Sequence, residues 1–106
     1  MKEPKSISSI YADLTSKART TFFKKNRAYG DSWLRTEEIT GVPVEHGILV
    51  RMGDKMARIQ NLLHSKDVDD LGESIVDTLI DLANYSLMLA SYIIYKKGGA
   101  DGKNHS

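Results

Sequence analysis

Four polar side chains recur on one face of an otherwise apolar segment in the last third of the chain. Spacings of four, four and three residues place them on a single helical stripe: Glu73, Asp77, Asp81 and Asn84. The surrounding residues are apolar on most of the circumference, which predicts a helix covered on several sides. Because burial raises the cost of neighbouring carboxylates, we expect a positive partner to offset their charge.

Two kinds of positive partner suit this acidic stripe. Glu73 and Asp77 lie one helical turn apart and could share Mg²⁺ or Mn²⁺, which bind carboxylates together with substrate phosphates. Salt bridges to the basic side chains of the preceding predicted helix are the alternative: Arg51, Lys55 and Arg58. A solvated acidic face is the third interpretation, and the spacing alone leaves all three open.

A second group of candidate residues occupies residues 24–33, where basic, aromatic and glycine residues follow one another. A nucleobase could stack on Tyr29 or Trp33, while Lys25 or Arg27 contacts a phosphate. The alternative is a helix end whose aromatic side chains fill the core.

Three long helices and a short helical turn are predicted to position these residues, so the expected fold class is all-α. The expected helices cover residues 6–28, 43–64 and about 69–97, and the turn lies near Glu37 and Glu38. The predicted apolar stripe of the second helix consists of Ile48, Met52, Met56, Ile59 and Leu63. We expect one domain over residues 1–97 and a disordered tail over residues 98–106.

The composition excludes several classes of protein. The 106 residues contain no cysteine, so disulfide frameworks and cysteine metal sites are excluded. A net charge of +1 gives no strong signal for nucleic-acid binding, and no apolar run is long enough to span a membrane. We expect a cytoplasmic protein. A bundle of only three long helices cannot cover the third one, which is apolar nearly all round, so a homodimer or higher homo-oligomer is expected.

Three blocks of sequence resemble a phage-rich family called nucleotide modification associated domain 1. The blocks cover residues 25–33, 51–58 and 73–85, within a resemblance over roughly residues 15–95. If the chain is phage-encoded, the expected location is the host cytoplasm.

The third helix is also similar, more distantly, to a metal motif of the MazG-type all-α nucleoside triphosphate pyrophosphohydrolases. Glu73, Asp77 and Asn84 match positions of that motif, whereas Ser74 stands where those enzymes have a glutamate. The resemblance implies a helical bundle completed by oligomerisation and Mg²⁺-dependent hydrolysis of a (deoxy)nucleoside triphosphate to a monophosphate and pyrophosphate.

Residues are assigned to this function in two sets. The metal ligands would be Glu73, Asp77, Asp81 and Asp54, and the nucleotide would contact Arg51, Lys55, Arg58, Asn26, Tyr29 and Trp33. Two other functions fit the same residues. One is a non-catalytic helical module that sequesters a nucleotide or binds a protein partner, and the other is a purely structural helical oligomer.

Overall fold

The computed structural model describes residues 5–65 and 71–100, with the side chains of 71–73 and 99–100 left aside. Within these residues the fold is all-α, which confirms the prediction. The elements are α1 (Ile7–Tyr29), a 3₁₀ turn (Ser32–Arg35), α2 (Thr36–Thr40), α3 (Val44–Leu63), α4 (Leu71–Tyr95) and a π-helical turn (Lys96–Ala100). None of the described helices is long and apolar enough to cross a membrane.

The first helix begins and ends at residues that the sequence marks for those positions. The Ser6 hydroxyl accepts a hydrogen bond from the backbone N–H of Ser9 at 3.0 Å, which caps the N-terminus of α1. Gly30 ends the helix with φ at 58°, a left-handed conformation that glycine adopts without steric cost.

The end of α4 differs from its prediction. The α-helix ends at Tyr95, and residues 98–100, which were expected to begin a disordered tail, belong to the π-helical turn. Residues 101–106 and the expected start of the third helix, residues 66–69, lie outside the described residues. The predicted domain boundary therefore stays a prediction.

The core lies between α3 and α4, the two helices that pack most closely. Its buried apolar residues are Val44 and Ile48 from α3 and Ile80 from α4. Thr78 is also buried, and its Oγ1 donates to the carbonyl oxygen of Ser74 at 2.7 Å. Oγ1 of Thr78 in turn accepts a hydrogen bond from Nε of Arg58 at 3.2 Å, so a polar contact also joins the two helices.

One predicted part of this core is wrong. Met56 and Leu63 were expected on the apolar stripe of α3, but they are 59% and 66% exposed. After Ile48, the half-buried side chains of α3 are spaced alternately four and three residues apart. Lys55 and Leu62 occupy the half-buried positions on this face, and their neighbours Met56 and Leu63 are exposed. Lys55 is held inward because it reaches a carboxylate on α4 at 3.4 Å.

An ion pair joins the first turn of α3 to the residues that follow α4. Nζ of Lys96 lies 3.3 Å from Oε2 of Glu45. The pKa of the Glu45 carboxyl lies below its usual value, first because of its own backbone N–H at the helix start and then because of Lys96. The pKa of Lys96 is raised by the same carboxylate.

This pair makes stability depend on pH in a defined direction. A carboxyl with a lowered pKa in the folded state stabilises the fold above its unfolded pKa. That contribution is lost as the pH falls through the folded value. We expect the free energy of unfolding of Glu45→Gln to fall less at low pH than that of the unaltered protein. Urea unfolding between about pH 3 and pH 7, a range that spans the ordinary glutamate pKa of about 4.3, measures this.

Lys96→Met is the control for the origin of this effect. Because the backbone N–H is the largest single cause of the lowered pKa of Glu45, the lysine variant should reduce the acid dependence without abolishing it. If the free energy of unfolding falls with acid as steeply in Glu45→Gln as in the unaltered protein, the assignment is wrong.

Candidate functional site

A cleft of about 490 Å³ opens where the end of α1, the 3₁₀ turn, the start of α3 and the middle of α4 meet. Its apolar lining includes Phe22, Val44, Ile48 and Met88, so part of the α3–α4 core also forms a wall of the cleft. Polar and aromatic side chains complete the lining: Thr21, Lys25, Asn26, Tyr29, Ser32, Trp33, Thr36, Arg51, Asp81, Asn84 and Tyr85. The cleft thus combines flat rings, cations and amides.

The chain reverses sharply after α1, and this reversal builds one wall of the cleft. Gly30 and Asp31 are both left-handed, and Asp31 is a non-glycine residue with φ at 57°. The amide Nδ2 of Asn26 donates to Oδ1 of Asp31, while Nε1 of Trp33 donates to Oδ1 of Asn26 at 3.1 Å. Asn26 therefore supports the strained turn and orients the half-buried indole ring.

An arginine and a tyrosine form the opposite wall. Nη1 of Arg51 lies 3.4 Å from the hydroxyl of Tyr85, and the guanidinium carbon is 5.9 Å from the centre of the tyrosine ring. Arg51 is exposed and has no carboxylate partner among the described residues. Its charge is therefore available to an anion that enters the cleft.

Asp81 lies between lysines from two other helices. Its Oδ2 is 3.4 Å from Nζ of Lys55 on α3, and its Oδ1 is 4.0 Å from Nζ of Lys25 on α1. The side chain is 31% exposed, so the contacts are only partly screened by water. One carboxylate thus holds two cations at the edge of the cleft.

Asp77 and Asn84, the other described members of the stripe, contact α1. Asp77, which is 56% exposed, lies 3.3 Å from Nζ of Lys17. Asn84 donates from Nδ2 to the backbone carbonyl oxygen of Ala18 at 3.1 Å. Of the three cations proposed to offset the stripe, Lys55 contacts it, whereas Arg51 and Arg58 contact Tyr85 and Thr78.

The predicted metal ligands fall only partly within the described residues. In the described ranges, no group of three or more His, Asp or Glu side chains is placed to hold a metal ion. Asp54 lies elsewhere, in a shallower hollow of about 520 Å³ that it shares with Lys55 and Arg58. The side chain of Glu73 lies outside the described part of the chain, so its assignment as a ligand stays a prediction.

The structure brings together about half of the residues predicted to form a site. Residues that line the cleft are Asn26, Tyr29, Trp33, Arg51 and Asp81, and Lys55 reaches it through Asp81. Arg58, Asp54 and Asp77 do not line it. Tyr85 was missed, although its position one helical turn after Asp81 was a usable signal because residues four apart share a helix face.

One protein family matches the chain over a range that includes most of the cleft. The model of the family described as nucleotide modification associated domain 1 matches residues 25–91. The chain belongs to this family. Apart from Thr21 and Phe22, every residue that lines the cleft falls within the range matched by nucleotide modification associated domain 1. No curated protein and no solved structure matches the chain, and the likeness to MazG-type enzymes stays a prediction.

The role given to Asn26 can be tested through the single tryptophan. Asn26→Ala removes the acceptor of the indole N–H and the donor to Asp31, so we expect a red-shifted Trp33 emission. We also expect a loss of about 1 kcal/mol in the free energy of unfolding. Asn61→Ala, which changes an exposed asparagine on α3, is the control and should alter neither. Unchanged emission in Asn26→Ala would show that the indole is held by packing alone.

Proposed function

We propose that this protein binds a nucleotide in the cleft described above. The observation that carries this proposal is that one cleft combines four aromatic rings with two cations: Phe22, Tyr29, Trp33 and Tyr85 with Lys25 and Arg51. Aromatic faces bind nucleobases by stacking, and arginine and lysine bind phosphate through charge-assisted hydrogen bonds. In this proposal the base lies against the rings and the phosphate lies between the cations.

Asp81 acts as a stand-in anion in this proposal. Its carboxylate pairs with both Lys25 and Lys55 and so offsets part of their positive charge at the edge of the cleft. A phosphate that enters takes over the same lysines. The site then selects ligands that carry at least one phosphate, because an uncharged nucleoside cannot compete with the carboxylate for them.

Hydrolysis is a separate question from binding. The expected release of pyrophosphate from a (deoxy)nucleoside triphosphate rests on the likeness to MazG-type enzymes and on a Mg²⁺ or Mn²⁺ site that includes Glu73. The residues that line the cleft support binding alone, so we propose the non-catalytic alternative, a module that sequesters a nucleotide. No step of it passes through a metal ion.

The first experiment measures binding and reaction in the same samples. The eight common ribo- and deoxyribonucleoside triphosphates and their monophosphates are titrated against Trp33 fluorescence, with Mg²⁺ and with a chelator, while pyrophosphate is assayed. Saturable binding that persists in the chelator, without pyrophosphate release, supports a sequestering module. Release that requires Mg²⁺ would overturn it in favour of the hydrolase.

Lys25 and Lys17 form a matched pair of variants. Both lie on α1 and both contact an aspartate of α4, but only Lys25 lines the cleft. We expect Lys25→Ala to weaken nucleotide binding by about 1.5–3 kcal/mol, the loss of one charge-assisted hydrogen bond. Lys17→Ala should leave the affinity unchanged. Equal losses in the two variants would mean that only the general positive field of α1 attracts the ligand.

Asp81→Asn distinguishes two roles of the Asp81 carboxylate, a partner of the lysines that a phosphate replaces or a ligand of a metal ion. Removal of the carboxylate frees two lysines, so we expect the affinity for a nucleotide without divalent ions to rise about two- to fivefold, the worth of a screened ion pair. Asp77→Asn should not change that affinity, because the Asp77–Lys17 pair lies away from the cleft. Loss of a Mg²⁺-dependent rise in melting temperature in both variants would instead identify metal ligands.

We also propose that the protein is a homo-oligomer. The support is the exposure of large apolar side chains on α1 and α4, among them Tyr11, Leu79 and Leu87 at 69%, 46% and 63%. A chain of this size has little apolar surface to leave in water. This proposal is independent of nucleotide binding.

A further inference from the structure

One position on the wall of the cleft has no side chain. Gly47 lies near the start of α3, is half-buried and lines the cleft together with the buried residues Val44 and Ile48. Glycine inside a helix is less favourable than alanine, so the fold would be more stable with a methyl group at this position. The glycine instead leaves space in the cleft.

The space beside Gly47 is small enough for one methyl group to fill. A Cβ atom placed on Gly47 would lie 3.7 Å from Cγ2 of Thr36, which is an ordinary van der Waals separation. Beyond the chain neighbours and the backbone of α3 itself, no other described atom would come within 4 Å of it. An alanine therefore fits without any movement of the protein, and its methyl group would occupy space that is now part of the cleft.

The surroundings of this space are apolar. The methyl group of Thr36 borders it, whereas the hydroxyl of the same residue donates to the backbone carbonyl oxygen of Trp33 at 2.9 Å. Val44 and Ile48 are buried on either side of Gly47 along α3. The edge of an aromatic ring suits such a place, whereas a phosphate would lose its water there without gaining a hydrogen bond.

A cation lies one helical turn from this space. Arg51 follows Gly47 by four residues, so the two share a face of α3 and are about 6 Å apart along its axis. Arg51 also lines the cleft, whereas the backbone N–H of Gly47 already donates to the carbonyl oxygen of Pro43 at 3.0 Å. The helix therefore presents an apolar space for a ring at Gly47 and a charge for a phosphate at Arg51.

We propose that Gly47 is a specificity-determining residue of this site. The inference rests on the nucleotide binding proposed above and adds which part of the ligand lies where. The edge of the nucleobase occupies the space that a side chain at residue 47 would fill, and this space sets the largest base that the cleft accepts. Two-ring purines need more of it than one-ring pyrimidines.

Gly47→Ala and Gly53→Ala form a matched pair of variants on the same helix. Gly53 is exposed, does not line the cleft, and has no described atom within 4 Å of its Cβ position beyond its neighbours in α3. Because alanine favours a helix, both variants should melt about 5 °C above the unaltered chain, which shows that both fold. Isothermal titration calorimetry without divalent ions then measures their affinities for purine and pyrimidine nucleoside monophosphates and for ribose 5-phosphate.

We expect Gly47→Ala to weaken the binding of purine monophosphates about tenfold, because its methyl group overpacks a site that already holds a ring. The loss for pyrimidine monophosphates should be smaller. The affinity for ribose 5-phosphate, which has no base, should stay unchanged. Gly53→Ala should bind every probe as the unaltered chain does.

Several results would overturn the role of Gly47 and leave nucleotide binding in place. One is an unchanged affinity of Gly47→Ala for purine monophosphates, and another is an equal loss for purines, pyrimidines and ribose 5-phosphate. Equal losses for purines and pyrimidines alone would remove the limit on base size. Equal losses in Gly47→Ala and Gly53→Ala would assign the effect to α3 as a whole. An unaltered chain that binds no nucleotide would overturn the proposed function itself.

Discussion

The packing of α3 against α4 is the constraint on which the rest of this structure depends. Val44, Ile48 and Ile80 are the buried apolar side chains of the described chain, and two of them also line the cleft. The site is thus built on the most firmly packed part of the molecule. Side chains on two packed helices are held in place more precisely than side chains on loops. Such precision suits a site that combines rings and charges.

The electrostatics of the cleft follow from the same pairing of helices. Because α3 is rotated so that Lys55 points inward, a cation and the carboxylate of Asp81 face each other across the α3–α4 boundary. Lys25 adds the third helix to this junction from the side of α1. One acidic residue therefore contacts two other helices and also contributes to the charge of the cleft, so under the proposed function stability and recognition would be coupled at Asp81.

The sequence predicts the helices well because their signals are local. A serine at the start of α1, a glycine at its end and regular apolar spacing each act within a few residues. The partners of charged side chains are different, because they depend on how far each helix is rotated about its axis. Lys17 was not predicted to meet Asp77, and Met56 was predicted to be inside, since periodicity defines an apolar face without saying which part of it a neighbouring helix covers. The cleft also combines local and tertiary information. Asn26, Tyr29 and Trp33 lie close together in the sequence, whereas their proximity to Tyr85 depends on the packing of the helices.

Four side chains line both the cleft and a second concave surface between α1 and α4: Phe22, Trp33, Asn84 and Met88. The two surfaces therefore share these side chains as a common boundary. A substitution at any of the four positions changes the shape of both surfaces at once, so its effect cannot be assigned to one surface alone.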